Sequence, residues 1–290
     1  MKVQKSFNQS DSGTLYVVPT PIGNLEDITF RALKTLKEVS VIAAEDTRNT
    51  RKLLTHFEIS TPLVSYHEHN KEGREKQLLG RLENGDSIAV VSDAGMPAIS
   101  DPGYELVQAA VKHDFPVVVL PGANAALCAL VGSGLPATEF LFYGFLPRKK
   151  KDRLEELERL KGQQATLLFY ESPYRLKEML KSLQESFGDR QATVARELTK
   201  RFEEYVRGTI QELIVWADQQ ELKGEFCVIV EGNDQPHSVE DELWWSNISI
   251  IEHVDHYISE GYSSKGAIKQ VAMDRKIPKR EVYQKYHIEQ

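Results

Sequence analysis

The sequence contains little cysteine and no long hydrophobic run. Its 290 residues include two cysteines, Cys128 and Cys227, which excludes a fold held together by several disulfides. Each lies in an apolar segment, and we expect two buried free thiols in a reducing compartment. No apolar stretch approaches the roughly 20 residues that span a bilayer, so we expect a cytoplasmic protein without membrane association. Residues 1–13 have no apolar signal core, and we interpret them as a short flexible lead-in.

A basic excess is also missing. The 43 Asp and Glu outnumber the 36 Lys and Arg, which gives a net charge of −7. This charge opposes long-range capture of nucleic acid by the protein as a whole. A nucleic-acid partner would therefore be a folded, specific target that local basic clusters hold. The length allows two compact domains, each with a core of its own.

Strand-like and helix-like patterns alternate along the first half of the chain. The first helix is predicted over 28–39, with Asp27 as its N-cap. Alternation implies parallel strands, and continuous apolar strands are expected where helices cover both faces of a sheet. We therefore predict an α/β domain over residues 14–132. Its predicted strands are 15–18, 39–44, 61–66, 87–91 and 117–120.

The second half repeats this pattern and ends in a different one. Residues 133–232 predict a second α/β domain, and the polar stretch 233–242 is typical of a linker. Residues 243–290 predict a small helical module, anchored by Trp244 and Trp245. The predicted strands of the second domain are 140–145, 166–170, 192–196 and 226–230.

Ligands of open α/β sheets bind beyond the carboxyl ends of the strands, where this chain has several polar loops. Pro19 and Pro21 occupy the place of a dinucleotide-binding loop, but they have no N–H groups to offer a phosphate. A phosphate-free cofactor suits this loop better, although a rigid proline turn explains it equally well. In the loop 92–97, small residues permit close backbone approach and Asp93 can accept from a hydroxyl or ammonium group.

Other loops follow strands in both halves and can meet around one cleft, as ligand sites at domain interfaces often do. Residues 100–103 form a second Ser-Asp-Pro-Gly turn, in which an N-cap role explains Asp101 as well as a ligand contact does. The remaining loops of this kind are 121–124, 169–173 and 195–200.

Taken in order, these segments resemble the small-subunit ribosomal RNA cytidine-2′-O-methyltransferase group of the tetrapyrrole methylase family. The resemblance covers roughly residues 13–232. It implies two α/β domains with S-adenosylmethionine folded between them, followed by a C-terminal helical module. The segments that carry it are 19–24, 44–48, 66–70, 92–97, 121–124, 169–175, 196–200 and 224–226.

The resemblance also implies a substrate and partners. The substrate would be a cytidine ribose 2′-hydroxyl in the decoding region of 16S rRNA, within the 30S subunit or a late assembly particle. A homodimer is implied as well. The cofactor would be held largely through backbone groups. Its expected contacts are Pro21, Ile22, Gly23, Asp93, Ala94, Gly95, Met96, Ala123, Tyr170 and Glu171.

Methyl transfer to an alcohol benefits from a proton acceptor, because a hydroxyl is a weak nucleophile. We favour Asp46, with Lys200 as the second choice if burial lowers its pKa. Arg48 suits a backbone phosphate through bidentate pairing. The full set of candidate acceptors is Asp46, Glu171, Glu197, Lys200 and His69.

Basic segments favour RNA contact elsewhere in the chain. Cations at a helix N-terminus oppose the helix dipole, which counts against a merely solvated helix start. For the strongest basic run, contact with the RNA backbone and a solvated helix start therefore explain the charges equally well. Residues 265–286 resemble a helix-turn-helix-like appendage, although such pairs are often packing units. His67 and His69 have no third ligand nearby, so we expect no metal and assign His69 to RNA. The basic run is 148–153 and includes Arg153, and the residues in it that we assign to RNA are Arg148, Lys149, Lys150 and Lys151.

Two alternatives stay open on the sequence alone. A member of the same fold can methylate a tetrapyrrole or a protein side chain, but such an enzyme needs neither the basic run nor the helical tail. A non-catalytic regulator can bind a nucleotide-like ligand, and the polar residues at several strand ends weigh against it.

Overall fold

The computed structural model of the protein describes residues 3–5, 12–67, 71–234, 245 and 248–288. The chain divides into two units, Met1–Asn233 and Asp234–Gln290. Expectations for His69, for most of the linker and for Trp244 lie outside the described residues. Within the described ranges, no helix is both long and apolar enough to cross a membrane. The same residues hold no cluster of three or more His, Cys, Asp or Glu suited to a metal ion.

The first sheet of the larger unit is parallel throughout, in the order β3-β2-β4-β1-β5. Alternate residues of its strands face two different cores: Ile42 packs with Leu54 on one side, and Val41 packs with Leu82 on the other. Helices therefore cover both faces, which explains why β2 and β4 are buried along their whole length. The strands are β1 (Leu15–Val17), β2 (Val41–Ala44), β3 (Leu63–Ser65), β4 (Ile88–Val91) and β5 (Val117–Val119).

Five helices belong to this part of the chain. The predicted Asp27 cap is wrong: Asp27 ends a 3-10 turn, and the Thr29 hydroxyl caps the first helix by accepting from the Ala32 N–H at 3.0 Å. A threonine two residues downstream satisfies the same free N–H groups, so the helix begins later than predicted. The helices are α1 (Phe30–Glu38), α2 (Thr47–His56), α3 (Lys71–Glu83), α4 (Tyr104–Lys112) and α5 (Ala125–Ser133).

The second sheet is mixed, in the order β6-β7-β10-β8-β9. Only β6 and β7 are parallel, and the last strand in the chain, β10, lies between β7 and β8 and is antiparallel to both. The edge strand β9 was not predicted. The elements are β6 (Phe140–Phe145), α6 (Lys150–Leu160), β7 (Thr166–Glu171), α7 (Leu176–Phe187), β8 (Gln191–Arg196), β9 (Glu204–Thr209), α8 (Ile210–Gln219) and β10 (Phe226–Val230).

Helix α5 connects the two sheets. It follows the first sheet in sequence, but Ala129 and Leu130 pack against Leu168 and Ile229 of the second sheet. The other face of that sheet is covered by a core that includes residues of α6, α7 and α8. Because α5 crosses residue 132, both sheets share packing within one unit, and its division into two domains stays a prediction.

The described residues of the smaller unit form the helices α9 (Ile250–Ser259), α10 (Ser264–Asp274) and α11 (Lys279–Ile288). They bury an apolar core that includes Val254, Ile268 and Val282. The fully buried His253 stacks on Trp245, with ring centroids 5.1 Å apart. This stacking is consistent with the anchoring role expected of Trp245.

Candidate active site

Two strand-end loops of the first sheet are joined to each other. Thr20 follows β1 and Gly95 follows β4, and they exchange two backbone hydrogen bonds of 2.9 and 3.0 Å. The Thr20 hydroxyl also donates to the Ser92 carbonyl at 3.1 Å. Gly95 has φ +80°, and a Cβ placed there would lie 3.2 Å from Cγ2 of Ile22. Both the backbone conformation and the close approach therefore favour glycine at this point.

These loops border a cleft of about 400 Å³. Residues that follow strands of the first sheet line one part of it, and residues in and near the second sheet line the other. Such a volume lies within the range of small-molecule sites, which commonly combine apolar walls with a few polar groups. From the first half, the lining residues are Ile22, Glu45, Asp93, Ala94, Gly95, Met96, Ile99, Ser100, Asp101, Asn124 and Ala125. From the second half, they are Phe145, Tyr170, Glu171, Ser172, Pro173, Ala195, Leu198, Gly224, Glu225, Phe226 and Cys227.

Most of the predicted cofactor contacts come together here. Pro21, Gly23 and Ala123 are not among the lining residues. Gly23 packs against the Lys200 side chain, and the Ala123 carbonyl lies 3.7 Å from the position of a Cβ on Gly95. The predicted contacts that line the cleft are Ile22, Asp93, Ala94, Gly95, Met96, Tyr170 and Glu171.

The carboxylates of Glu45, Asp93 and Asp101 give the cleft an acidic wall. Glu45 follows β2, and Asp93 and Asp101 both lie in the connection between β4 and α4. Burial raises the pKa of Asp101 to about 6, and repulsion from Glu45 and Asp93 adds to the effect, while a hydrogen bond with Ser92 opposes it. Burial also raises the pKa of Glu45. Mutual repulsion of this kind favours a cationic ligand, because a cation would relieve it.

Sequence reasoning missed Asp101 as a site residue. Its Ser-Asp-Pro-Gly turn has the composition of an ordinary helix start, and nothing in the sequence indicates that the carboxylate is partly buried. Its backbone surroundings are unusual, since Ala98 and Ser100 both have positive φ values, of 68° and 63°. Strained residues of this kind often occur near functional sites, and the repeated Ser-Asp turn was the one available signal.

Asp46, the predicted proton acceptor, caps α2 and is held by Arg48. One carboxylate oxygen accepts from the Arg48 N–H at 2.8 Å, and the other accepts from the guanidinium at 2.6 Å. These hydrogen bonds lower the pKa of Asp46 to about 2, so this group is a weak base. Asp46 is not a lining residue, but its N–H donates to Asp93 at 3.1 Å. The geometry does not favour Asp46 as the acceptor, and that role remains a prediction.

Lys200 does not meet the condition set for it as a base. Burial acts to lower its pKa, but hydrogen bonds to Glu225 and Glu197, at 2.8 and 2.9 Å, outweigh burial and raise the pKa. The amine therefore stays protonated at neutral pH. Its role here is to tie together two carboxylates beside the cleft.

Glu171 is a buried carboxylate that also lines the cleft. Burial raises its pKa, whereas the Ser172 N–H, which donates at 2.8 Å, and the Arg175 guanidinium at 3.1 Å lower it. Arg175 in turn donates to the Leu146 carbonyl at 2.7 Å. Glu171 is thus anchored at the end of β7, which favours a positioning role over free proton exchange.

Tyr170 links the second sheet to helix α5. The Tyr170 hydroxyl accepts from the Ala126 N–H at 3.2 Å and so satisfies a free donor at the start of α5.

Both cysteines are free thiols. Cys227 is buried at the cleft, as expected, but Cys128 is exposed, so the expectation of two buried thiols is wrong for Cys128. Cys128 lies on the exposed side of α5, and the opposite side of that helix packs against the second sheet.

Those predicted RNA-contact residues that the structure describes lie outside the cleft lining. Arg48 sits in the first turn of α2 and its side chain is 87% exposed. Lys149 is the N-cap residue of α6, and Lys150 and Lys151 begin that helix. Lys150 pairs with Glu185 at 3.1 Å. Their assignment to RNA stays a prediction.

Comparison of the chain with known proteins shows similarity to one family. The family model described as tetrapyrrole (corrin/porphyrin) methylases matches residues 14–214. Ribosomal RNA small subunit methyltransferase I of Halalkalibacterium halodurans is 58% identical over 290 residues, and the match covers all of both chains. The protein of the same name from Bacillus subtilis is 56% identical over 291 residues, again covering all of both chains.

Solved structures agree on the fold. Uroporphyrin-III-C-methyltransferase from Thermus thermophilus aligns with a TM-score of 0.55 and 20% identity, over 76% of this chain and 94% of that one. Diphthine synthase aligns with a TM-score of 0.58 and 14% identity, over 76% and 90% of the two chains. At such identities the likeness concerns the arrangement of strands and helices alone.

Proposed function

The chain belongs to the tetrapyrrole methylase family, and on that premise we propose that it transfers a methyl group from S-adenosylmethionine to the RNA of the small ribosomal subunit. The observation that carries this proposal is the end-to-end identity of 58% with a protein named ribosomal RNA small subunit methyltransferase I. Identity at this level extends through both sheets and the C-terminal helices, so it concerns the site as well as the fold.

The finer features of the reaction are proposals as well. We propose that the acceptor is the 2′-oxygen of a cytidine in the decoding region of 16S rRNA, presented by the 30S subunit or a late assembly particle. We also propose a cytoplasmic homodimer. These statements rest on the resemblance of the strand-end segments to the cytidine-2′-O-methyltransferase group.

The cleft residues fit the proposed cofactor. S-adenosylmethionine carries a sulfonium and an ammonium group and no phosphate, and the acidic wall of Glu45, Asp93 and Asp101 suits such a cation. Pro19 and Pro21 give the first loop few backbone donors, which a cofactor without phosphate does not need. Small residues from Ala94 to Gly95 allow the backbone to approach it closely.

When bound, this cofactor would supply a methyl group on a cationic sulfur that leaves as a neutral thioether, so no acid is needed. The protein has to orient the hydroxyl in line and accept its proton. We propose Asp101 as the acceptor, because it lines the cleft and its pKa of about 6 leaves it ionised at neutral pH yet far more basic than Asp46. Glu171, held by Arg175, would position rather than exchange protons.

A labelled-methyl assay tests the proposal. Cofactor carrying a labelled methyl group is offered with 30S particles, naked 16S rRNA or a tetrapyrrole precursor. Incorporation into the ribosomal RNA supports the proposal, and incorporation into the tetrapyrrole alone would overturn it. Cofactor binding without transfer to any of the three would favour a regulator.

A second measurement identifies the acceptor atom. Methylation of a 2′-oxygen blocks alkaline cleavage of the next phosphodiester bond, since that hydroxyl is the nucleophile. The label should therefore appear in an alkali-resistant dinucleotide that begins with cytidine. Label in alkali-released mononucleotides would mean that a base is methylated. The acidic net charge leads us to expect faster transfer to 30S particles than to naked RNA at physiological salt.

A further inference from the structure

The exposed side of α2 is basic along its whole length. Arg48, Arg51, Lys52 and His56 follow the spacing of one helical face, and together with two threonines they line one shallow surface groove. The opposite side packs inward through buried Thr50 and Leu54. The segment Thr47–His56 contains no Asp or Glu, although the chain as a whole carries a net charge of −7. We name these four side chains the α2 basic face.

Helix stability does not explain this face. Arg48 in the first turn opposes the helix dipole, which favours negative charge at that end. Arg48 and Lys52 are four residues apart, and like charges at this spacing repel each other. In the part of the chain that the structure describes, no carboxylate forms an ion pair with Arg51 or Lys52. The arrangement therefore suits an external anion better than it suits the folded protein alone.

The other basic segment differs in this respect. Lys150 pairs with Glu185 at 3.1 Å and Lys151 pairs with Glu155 at 3.8 Å. Arg153 is buried, and its guanidinium donates to the Ser182 hydroxyl at 3.0 Å. Carboxylates thus engage Lys150 and Lys151, and Arg153 is committed to internal hydrogen bonds. Arg148 and Lys149 have no ion pair among the described residues, so this run is engaged only in part.

The α2 basic face starts at the cleft. The Asp46 N–H and the Asn49 side-chain amide donate to the two carboxylate oxygens of Asp93, at 3.1 and 3.0 Å. Asp93 lines the cleft, so the first turn of α2 is bonded directly to its wall. From position 48 to position 56 the face extends about 12 Å along the helix, enough to meet more than one phosphate of a strand.

We propose that the α2 basic face binds the phosphate backbone of the RNA substrate and leads the target ribose to the cleft, in place of the run 148–151. The inference rests on the proposed function, since it names the surface that holds that substrate. The partner is a polyanion with regularly spaced charges. The exposed guanidinium of Arg51 and ammonium of Lys52, which have no ion pair among the described residues, match such charges, and Arg48 adjoins them at the end nearest the cleft.

The experiment compares three charge-matched double variants. Arg51→Gln with Lys52→Gln tests the face and keeps good helix formers. Lys150→Gln with Lys151→Gln tests the rival run. Lys177→Gln with Lys181→Gln removes the same charge from α7, where both lysines lie near Asp218. Dissociation constants for 30S particles are measured between about 50 and 200 mM salt, together with KM, kcat and cofactor affinity.

The α2 variant is expected to bind 30S particles about tenfold more weakly, with a salt slope that is smaller by roughly 1.4 to 1.8. Its kcat and cofactor affinity should stay at wild-type values, and the α7 control should match the wild type throughout. The proposal is overturned if the α2 variant binds as the wild type does. It is equally overturned if the 148–151 variant or the α7 control shows an equal or larger loss.

This outcome can be separated from failure of the proposed function. If the wild-type protein neither binds the cofactor nor labels ribosomal RNA, the proposed function fails whatever the variants do. If it labels the RNA and the α2 variant is indistinguishable from it, only the docking surface is wrong. Equal melting temperatures of the variants exclude unfolding as the cause of a loss.

Discussion

Replacing Asp101 by Asn should remove the pH dependence of methyl transfer near pH 6. Burial and the nearby carboxylates Glu45 and Asp93 raise the pKa of Asp101 to about 6. A group with this pKa is about 90% ionised at pH 7 and about 10% ionised at pH 5. The value of kcat/KM for the wild type should therefore fall about tenfold between these two pH values. Asparagine cannot accept the proton, and general-base catalysis is commonly worth about 10²- to 10⁴-fold.

Asp46→Asn is the matched control. Asparagine is as good an N-cap as aspartate, so α2 keeps its start while the carboxylate is lost. Because the pKa of Asp46 is about 2, its removal should leave the inflection near pH 6 in place. Labelled-methyl transfer to 30S particles is measured at limiting substrate for the wild type and both variants. Cofactor affinity is measured separately by titration.

The reasoning is refuted if Asp101→Asn keeps the wild-type rate and inflection, or if Asp46→Asn abolishes that inflection. The same data also test the direction in which the bound cofactor shifts the pKa of Asp101. A bound sulfonium near the acidic wall would stabilise ionised Asp101 and lower its pKa. The inflection in kcat, measured with saturating cofactor, should therefore lie below the inflection in kcat/KM measured with limiting cofactor.

The remaining predictions concern stability and cofactor binding. The folded-state pKa of Asp101 is raised, so its stabilising contribution is present below the unfolded pKa near 4 and is lost as the pH rises through about 6. Asp101→Asn should consequently unfold at higher urea than the wild type at pH 7 and at equal urea near pH 4, and the opposite order would contradict the assigned pKa. Gly95→Ala should weaken cofactor binding about tenfold by titration, because a Cβ is strained at φ +80° and would press on the Ile22 side chain; unchanged affinity would move the cofactor away from this loop. Arg153→Met should lower the free energy of unfolding by about 2 to 4 kcal/mol in a urea titration, because it removes buried charge-assisted hydrogen bonds to Ser182 and to the Arg148 carbonyl. The affinity of this variant for 30S particles should not change, and a selective loss of RNA binding would contradict a purely structural role.

The parallel half of the fold could be predicted because its signal is local. Each buried strand is a short apolar run, and each crossover helix has its own periodicity, so alternation is enough to imply parallel pairing. The strand Glu204–Thr209 was not predicted because it has no comparable local signal. It is a half-buried edge strand of mixed polarity, and its pairing with β8 becomes visible only when the sheet is assembled.

The cleft could be predicted only in outline. The loops that line it were identified because they follow strands, whereas the state of each ionisable group depends on neighbours that are distant in sequence. Lys200 is held by Glu225, 25 residues away, and Asp101 is affected by Glu45. A run of basic residues likewise does not reveal that Arg153 is buried while its neighbours are solvated.

The position of β10 has a consequence for how the protein is made. This strand, the last of the larger unit, pairs along five residues with β7 on one side and along five with β8 on the other. A nascent chain that has not yet delivered residues 226–230 holds two strand pairs whose inner edges are open, and open edges invite association with other chains. Residues 224–227, which line the cleft, arrive with the same segment. Completion of the sheet and competence to bind a ligand therefore coincide during synthesis, and a chain truncated before β10 would be prone to aggregate as well as inactive.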